Sequence, residues 1–118
     1  MTDAIRAQPS SMLLALAAMT CREGAPQLAA DELAKHVTTL PGWQLKGDRI
    51  EKTFSFANYY ETVAFVNALA WISHREDHHP DLGVHYNRCV VTYSTHSAGG
   101  VTINDVICAA KAERLWNL

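Results

Sequence analysis

Two hairpin patterns, separated by segments of helical periodicity, most constrain how this chain can fold. The first hairpin turns at Gly47-Asp48, and Ile50, Phe54 and Phe56 share the inner face of its second strand. The second spans residues 82–95 and turns at Asn87-Arg88. Hairpins join antiparallel strands, so the pattern predicts an antiparallel sheet. Lys52 interrupts the alternation and predicts a position near a sheet edge.

Three helices are predicted around these hairpins. They are expected from Asp31 to about Thr39, from Asn58 to about Asp77, and from about Thr102 onward. The resulting fold class is α+β, in two layers: a four-stranded antiparallel sheet with three helices packed on one face, in the order α-β-β-α-β-β-α. The helix that begins at Asn58 is apolar on two sides, which predicts one side against the sheet and the other against a partner subunit.

The length of the chain and the positions of its prolines and glycines predict the domain organisation. The 118 residues suit one domain, and Pro9, Gly24 and Pro26 mark residues 1–27 as an N-terminal arm before a domain at 28–118. The apolar run 12–19 resembles a short leader, but its flank lacks net positive charge. An extension that is partly helical or loosely attached is therefore expected. No apolar run reaches the roughly 18 residues that span a bilayer.

Charge and cysteine content restrict the partners. A net charge of −2 gives no electrostatic reason to expect nucleic acid or an anionic membrane surface. The three cysteines, Cys21, Cys89 and Cys108, match neither a zinc knuckle nor a redox CxxC pair. Reduced thiols in a cytoplasmic protein are the simplest interpretation.

Histidines are concentrated in one part of the sequence. Four of the six lie between residues 74 and 85, namely His74, His78, His79 and His85, and His96 follows. Imidazole both accepts and donates a proton near neutral pH, so this concentration indicates a proton-transfer pocket or a metal site. His74 is also compatible with a solvated helix end, and His85 with a strand surface.

The metal hypothesis depends on His74 and His78, which are four residues apart and could share a helix face. The zinc protease pattern needs glutamate directly after the first histidine, and here Glu76 comes one position later. A metal-dependent hydrolase remains an alternative on this basis, although no metal is expected.

Acid–base catalysis without a metal is the competing hypothesis. Pro80 disfavours helical geometry at His79, so the paired histidines should leave the helix and point into a cleft that His96 can reach from the next strand. Asp105 could orient one imidazole, or serve only as a helix cap.

Several segments together resemble the pterin-4a-carbinolamine dehydratase family over residues 28–114. The residues that carry the likeness are Asp77-His78-His79-Pro80-Asp81, Tyr86-Asn87, Ser94-Thr95-His96 and Asp105, with Pro41-Gly42-Trp43 and Phe54-Ser55-Phe56 upstream. His74 stands where many members carry an acid, and Ala29-Ala30 replaces the usual polar helix cap. Residues 1–19 lie outside the resemblance.

The resemblance implies an enzyme that converts a 4a-hydroxytetrahydropterin to the quinonoid dihydropterin and water, with no cofactor. It implies His78 and His96 as acid and base, His79 as a catalytic-site residue that holds the substrate, and Asp105 as support for a histidine. Asp77, Ser94 and Thr95 would line the polar edge of the pterin, and Trp43 could form a wall of the pocket or equally belong to the core.

The resemblance also implies partners. A homodimer or homotetramer is expected, together with a functional link to an aromatic amino acid hydroxylase whose pterin is recycled. Animal members also act as a dimerisation cofactor of a transcription factor, so a non-enzymatic binding module is a further alternative.

Overall fold

The computed structural model describes residues 9–116. Its helices are α1 (Ser11–Ala17), α2 (Ala30–Thr38), α3 (Tyr59–Glu76) and α4 (Ile103–Trp116), and a short 3-10 helix covers His96–Ala98. Its strands are β1 (Gln44–Lys46), β2 (Arg49–Ser55), β3 (Asp81–Val84) and β4 (Arg88–Tyr93).

The four strands form one antiparallel sheet in the order β1-β2-β4-β3, which confirms the predicted α+β class and strand number. The two hairpins meet through β2 and β4, where Ile50 is opposite Tyr93 and Phe54 is opposite Cys89. The second hairpin turns slightly earlier than expected, since His85 N donates to Arg88 O.

One face of the two central strands is fully covered. Its buried residues are Ile50, Lys52, Phe54, Cys89, Val91 and Tyr93. Phe65 of α3 and Trp116 of α4 both contact the Phe54 ring, with ring centroids 4.8 and 5.6 Å away. These two helices therefore form the layer that closes the core.

The prediction of three helices is wrong in number, because residues 9–116 contain a fourth, α1, ahead of the expected order. Ser10 caps α1 by accepting a hydrogen bond from Leu13 N, and the side chains of Leu13 and Leu16 are buried in the main core. The predicted arm thus contributes a helix that packs on α4. Residues 1–8 of the predicted arm and residues 117–118 of the predicted domain lie outside the described residues.

This packing explains why α4 is buried on nearly every side. Helix α1 covers one side, α3 another and β4 a third. The small side chains of Cys108, Ala109, Ala110 and Ala112 allow these neighbours to approach closely, and all four are buried.

The prediction that Lys52 lies near a sheet edge is wrong, because Lys52 is on β2, a central strand. Its ammonium donates to Glu113 Oε2 at 2.7 Å and to the Pro41 carbonyl at 2.7 Å, and Trp43 Nε1 donates to the same Glu113 oxygen at 3.0 Å. A charge that is buried at this depth requires such partners. The lysine that interrupts the apolar alternation of β2 therefore belongs to a buried ion pair between the sheet and α4.

The start and end of α3 agree with the sequence signals. Glu61 N donates to Asn58 Oδ1 at 3.0 Å, which confirms the cap, and the helix ends at Glu76. Within residues 9–116, no helix combines the length and the apolar content needed to cross a bilayer.

Replacement of Leu13 by alanine is expected to lower the free energy of unfolding by about 3 kcal/mol, because a side chain that is 1% exposed would leave a cavity against α4. Met12→Ala, at a site that is 57% exposed on the same helix, is the control and should change it by less than about 0.5 kcal/mol. Urea denaturation of both variants tests this. Equal, small effects would show that α1 is not part of the cooperative core.

Candidate active site

A buried carboxylate, Asp105, is the centre of the site. It is 0% exposed and accepts hydrogen bonds at both oxygens. Oδ1 lies 2.6 Å from Nε2 of His78, while Oδ2 accepts from Thr95 Oγ1 at 2.8 Å and from Thr102 N at 2.9 Å. Three chain segments therefore meet at one side chain.

The start of α4 places this carboxylate. Thr102 precedes the helix and its Oγ1 accepts from Asn104 N at 3.2 Å, while Asp105 accepts from the Thr102 amide in return. Asp105 thus holds the predicted capping-box position, although the Thr102 hydroxyl accepts from residue 104 rather than from Asp105 itself. A negative charge in the first turn is also stabilised by the helix dipole.

The C-terminal end of α3 positions His78. Asp77 N donates to His74 O and His78 N donates to Ser73 O, the two hydrogen bonds of a Schellman motif. Asp77 adopts the left-handed conformation at φ 51°, where glycine is usual. The chain therefore leaves the helix at Asp77, and His78 reaches Asp105.

A cavity of about 250 Å³, here called the histidine cavity, opens beside His78. It is lined by Asp77, His78, His79, Asp81, Thr92, Ser94, Thr95, His96 and Ser97. The structure thus brings His78, His79 and His96 to one cavity, with Asp77, Ser94 and Thr95. Asp105 lies behind it, in contact with His78 and Thr95.

A second cavity, of about 350 Å³, shares Asp77, His78, Thr95 and Ser97 with the first. Its other wall includes residues 21–25, here called the strap. Cys21 N donates to Glu76 Oε1 at 2.8 Å, and the backbone of Arg22 makes two hydrogen bonds with the Asn104 side chain, at 3.0 and 2.7 Å. The strap is not recognisable in the sequence, because these partners are distant along the chain.

The ring of Tyr93 supports His78 from the core. The two rings are nearly parallel, at an angle of 9°, with centroids 6.0 Å apart. Burial, and then the neighbouring Cys108, Cys21 and Asp105, raise the pKa of Tyr93 well above its usual range, so its phenol stays neutral. Its hydroxyl has no hydrogen-bond partner among residues 9–116.

Three candidate residues lie elsewhere. Trp43 is 5% exposed and packs in the core against Phe54 and Tyr93, so it takes the core position rather than the predicted place in the wall of the histidine cavity. The ring of His74 stacks on Trp71 at 5.5 Å. His85 is exposed at the end of β3, as expected.

No group of three or more histidine, cysteine, aspartate or glutamate side chains within residues 9–116 is arranged to hold a metal ion. His74 and His78 do not share a helix face, since α3 ends between them.

The geometry equips His78 for proton transfer. Its Nε2 is occupied by Asp105, so Nδ1 is the nitrogen that is left for a ligand. In the neutral ring, Nε2 donates to the carboxylate and Nδ1 carries the lone pair, and in the protonated ring both nitrogens donate. His78 can therefore act as either a base or an acid.

Fold and site together define a small α+β protein with a histidine–aspartate pair beside a polar cavity. The family model described as pterin 4 alpha carbinolamine dehydratase matches residues 26–115. The chain belongs to this family.

Relatives and solved structures agree with this assignment. A Chromobacterium violaceum protein, provisionally named pterin-4-alpha-carbinolamine dehydratase, is 57% identical over 97 residues, or 82% of this chain and 90% of its own. A provisionally named Xanthomonas campestris protein is 60% identical over 93 residues, or 77% and 79%.

Two solved structures share the fold. The transcriptional coactivator/pterin dehydratase of Brucella melitensis is 33% identical with a TM-score of 0.73, covering 75% of this chain and 97% of that one. A pterin dehydratase-like protein that is a RuBisCO assembly factor in the alpha-carboxysome is 27% identical with a TM-score of 0.52, covering 62% and 84%.

Replacement of Asp77 by glycine is expected to raise the free energy of unfolding by about 0.5–1 kcal/mol, since glycine adopts the left-handed conformation without steric cost. Asp77→Ala removes the same carboxylate but keeps a Cβ, and it should not be stabilising. Chemical denaturation distinguishes the two. If both variants lose stability equally, the carboxylate rather than the backbone conformation determines the effect.

Proposed function

We propose that this chain dehydrates a 4a-hydroxytetrahydropterin to the quinonoid dihydropterin and water by histidine acid–base catalysis. The observation that carries the proposal is the His78–Asp105 pair at a cavity that His96 also lines, in a chain of this family. The reaction would be one step in recycling the pterin after an aromatic amino acid hydroxylase has used it.

The chemistry requires two proton transfers. The C4a hydroxyl leaves as water only once it is protonated, and the N5 proton departs as the C4a–N5 double bond forms. No electrons leave or enter the molecule. Imidazoles suit both transfers near neutral pH, and each well-placed acid or base contributes about 10²–10⁴ in rate.

His78 and His96 are assigned to the two transfers because they reach the cavity from different elements. His78 follows α3, and His96 begins the 3-10 helix after β4. A flat ring between them would have one imidazole within reach of each side. His79, Asp77, Ser94 and Thr95 supply polar groups to hold the ring.

Asp105 is assigned a positioning role. It touches His78 and Thr95 rather than the cavity itself, and it holds the Nε2 proton so that Nδ1 faces the substrate as a base.

Alanine at either His78 or His96 is expected to reduce kcat for dehydration by about 10²–10⁴, because each replacement removes one proton-transfer group. The measurement is ultraviolet absorbance with freshly prepared 4a-hydroxypterin. His85→Ala is the matched control, since His85 is exposed and outside the cavity lining, and it should leave the rate unchanged.

Full activity in both cavity variants would refute the assignment of roles. Absence of activity in the unmodified protein, with normal folding, would instead favour a binding module.

Asp105→Asn is expected to lower kcat by about 10³–10⁴ without preventing folding. The backbone amide of Thr102 needs an acceptor at Oδ2, to which Thr95 Oγ1 also donates, so the introduced side-chain amide must turn its NH₂ toward His78. Nε2 then becomes an acceptor, and Nδ1 carries the proton and no longer serves as a base. Nitrogen-15 NMR of the His78 ring reports the tautomer, and Asp31→Asn on the surface is the control. A normal tautomer with normal kcat would contradict the positioning role.

Assembly and location complete the proposal. A homodimer or homotetramer is supported by exposed apolar side chains on α3 and on the edge strand β3, including Trp71 at 67% and Val84 at 44% exposed. A cytoplasmic location and an N-terminal arm at residues 1–27 before the catalytic domain are also proposed.

The binding-module alternative has a specific observation in its favour. One structural relative is described as a coactivator as well as a dehydratase, and another as an assembly factor. The exposed Tyr60 and Trp71 of α3 would suit a protein partner.

A further inference from the structure

Two cysteines from opposite ends of the chain meet beside the active site. The sulfur atoms of Cys21 and Cys108 are 3.5 Å apart, although 87 positions separate them in sequence. Cys21 belongs to the strap, and Cys108 lies on α4 one turn beyond Asp105. The two residues therefore connect the wall of the second cavity to the helix that carries Asp105.

Backbone and side-chain hydrogen bonds hold this encounter in place. Cys21 N donates to Glu76, and the peptide groups on either side of Arg22 bond the Asn104 side chain. Cys21 Sγ also lies 3.6 Å from the Asn104 carbonyl oxygen. These hydrogen bonds hold the strap against α3 and α4, so the two thiols lie close together and have a high effective concentration.

The two thiols differ in access. Cys108 is fully buried, whereas Cys21 is half-buried and lines the cavity of about 350 Å³. A small oxidant can enter there and reach Cys21 first.

We propose that Cys21 and Cys108 are a reversible disulfide site, oxidised by a small peroxide and reduced by a dithiol. The Cys21 thiolate attacks a peroxide oxygen, which breaks the O–O bond and gives a sulfenic acid and hydroxide, and the hydroxide takes up the proton that the Cys21 thiol released to form water. The Cys108 sulfur then attacks the Cys21 sulfur, the S–O bond breaks, and the thiol proton leaves with the hydroxide as a second water. Both thiols are oxidised, and one peroxide is reduced to water.

The difference in access assigns the order of the two steps, and the electrostatics of Cys108 agree with it. A hydrogen bond with Cys21, and then burial, raise the pKa of Cys108 above its usual range. Cys108 therefore remains a thiol and waits as the resolving residue, and it loses its proton only as the S–S bond forms. Cys21, on the cavity side, is the residue that attacks the oxidant.

The bond requires a modest displacement. The sulfur atoms must approach from 3.5 Å to about 2.05 Å. Helix α4 is packed on all sides, so the strap, which has no regular secondary structure, provides the movement. Once formed, the disulfide closes a long loop and constrains the unfolded chain.

The test is alkylation and peptide mass spectrometry of the full-length protein after hydrogen peroxide, with and without dithiothreitol. Two of three thiols should become protected, and tryptic peptide 7–22 should be linked to peptide 89–111. The oxidised protein should melt several degrees higher than the reduced protein.

Peptide 89–111 contains both Cys89 and Cys108, so variants must assign the partner. Cys89→Ser removes the buried thiol of β4 and should retain the link and the rise in Tm. Cys21→Ser and Cys108→Ala should each abolish both. Cys21→Ser changes a half-buried position and keeps the proposal testable if Cys108→Ala folds poorly.

The link in the unmodified and Cys89→Ser proteins, reversed by dithiothreitol, would support the proposal. Sulfinic acid at Cys21 with Cys108 still alkylatable would overturn it, as would disulfides only between chains. The readout is covalent and independent of dehydration, so this proposal and the proposed function can fail separately.

Discussion

The candidate active site depends on the hydrogen bonds that one buried carboxylate accepts. Asp105 has no exposed surface, and a carboxylate in such surroundings is costly unless it is hydrogen-bonded. Its three donors are His78, Thr95 and Thr102, which follow α3, follow β4 and precede α4. Because all three must meet at the same two oxygens, this contact fixes how the ends of three elements are arranged around the histidine cavity.

The packing of α4 makes this arrangement rigid. The helix is enclosed by α1, α3 and β4, so its first turn cannot shift without disturbing the core. Tyr93 braces the ring of His78 on the side of the core, and the strap is tied to Glu76 and Asn104. The imidazole is therefore held before any substrate arrives, which is the condition for an efficient proton transfer.

Residues close together in the sequence predicted where helices begin. The features that were not predicted depend on contacts between residues far apart in the chain. Asn58 and Thr102 were identified as helix starts because capping depends on residues three apart. Lys52 and Trp43 were misplaced because both bond Glu113, a partner 61 and 70 positions away. The packing of α1 on the core and the contacts of the strap were missed for the same reason, since the surfaces that they cover belong to α3 and α4. The convergence of His78 and His96 on one cavity was expected from the hairpin, whereas the exact partner of each ring nitrogen required coordinates.

The two interpretations of Asp105 left open by the sequence, helix cap or histidine partner, are not alternatives. Oδ2 serves the cap and Oδ1 serves His78, so one side chain performs both tasks with different atoms. The cap orients the carboxylate, because Thr102 N and Thr95 Oγ1 fix Oδ2 and thereby direct Oδ1 toward Nε2. A residue that stabilises the helix thus also sets the tautomer of the histidine, and for this reason an amide at position 105 can keep the fold while it inverts the proton positions on His78.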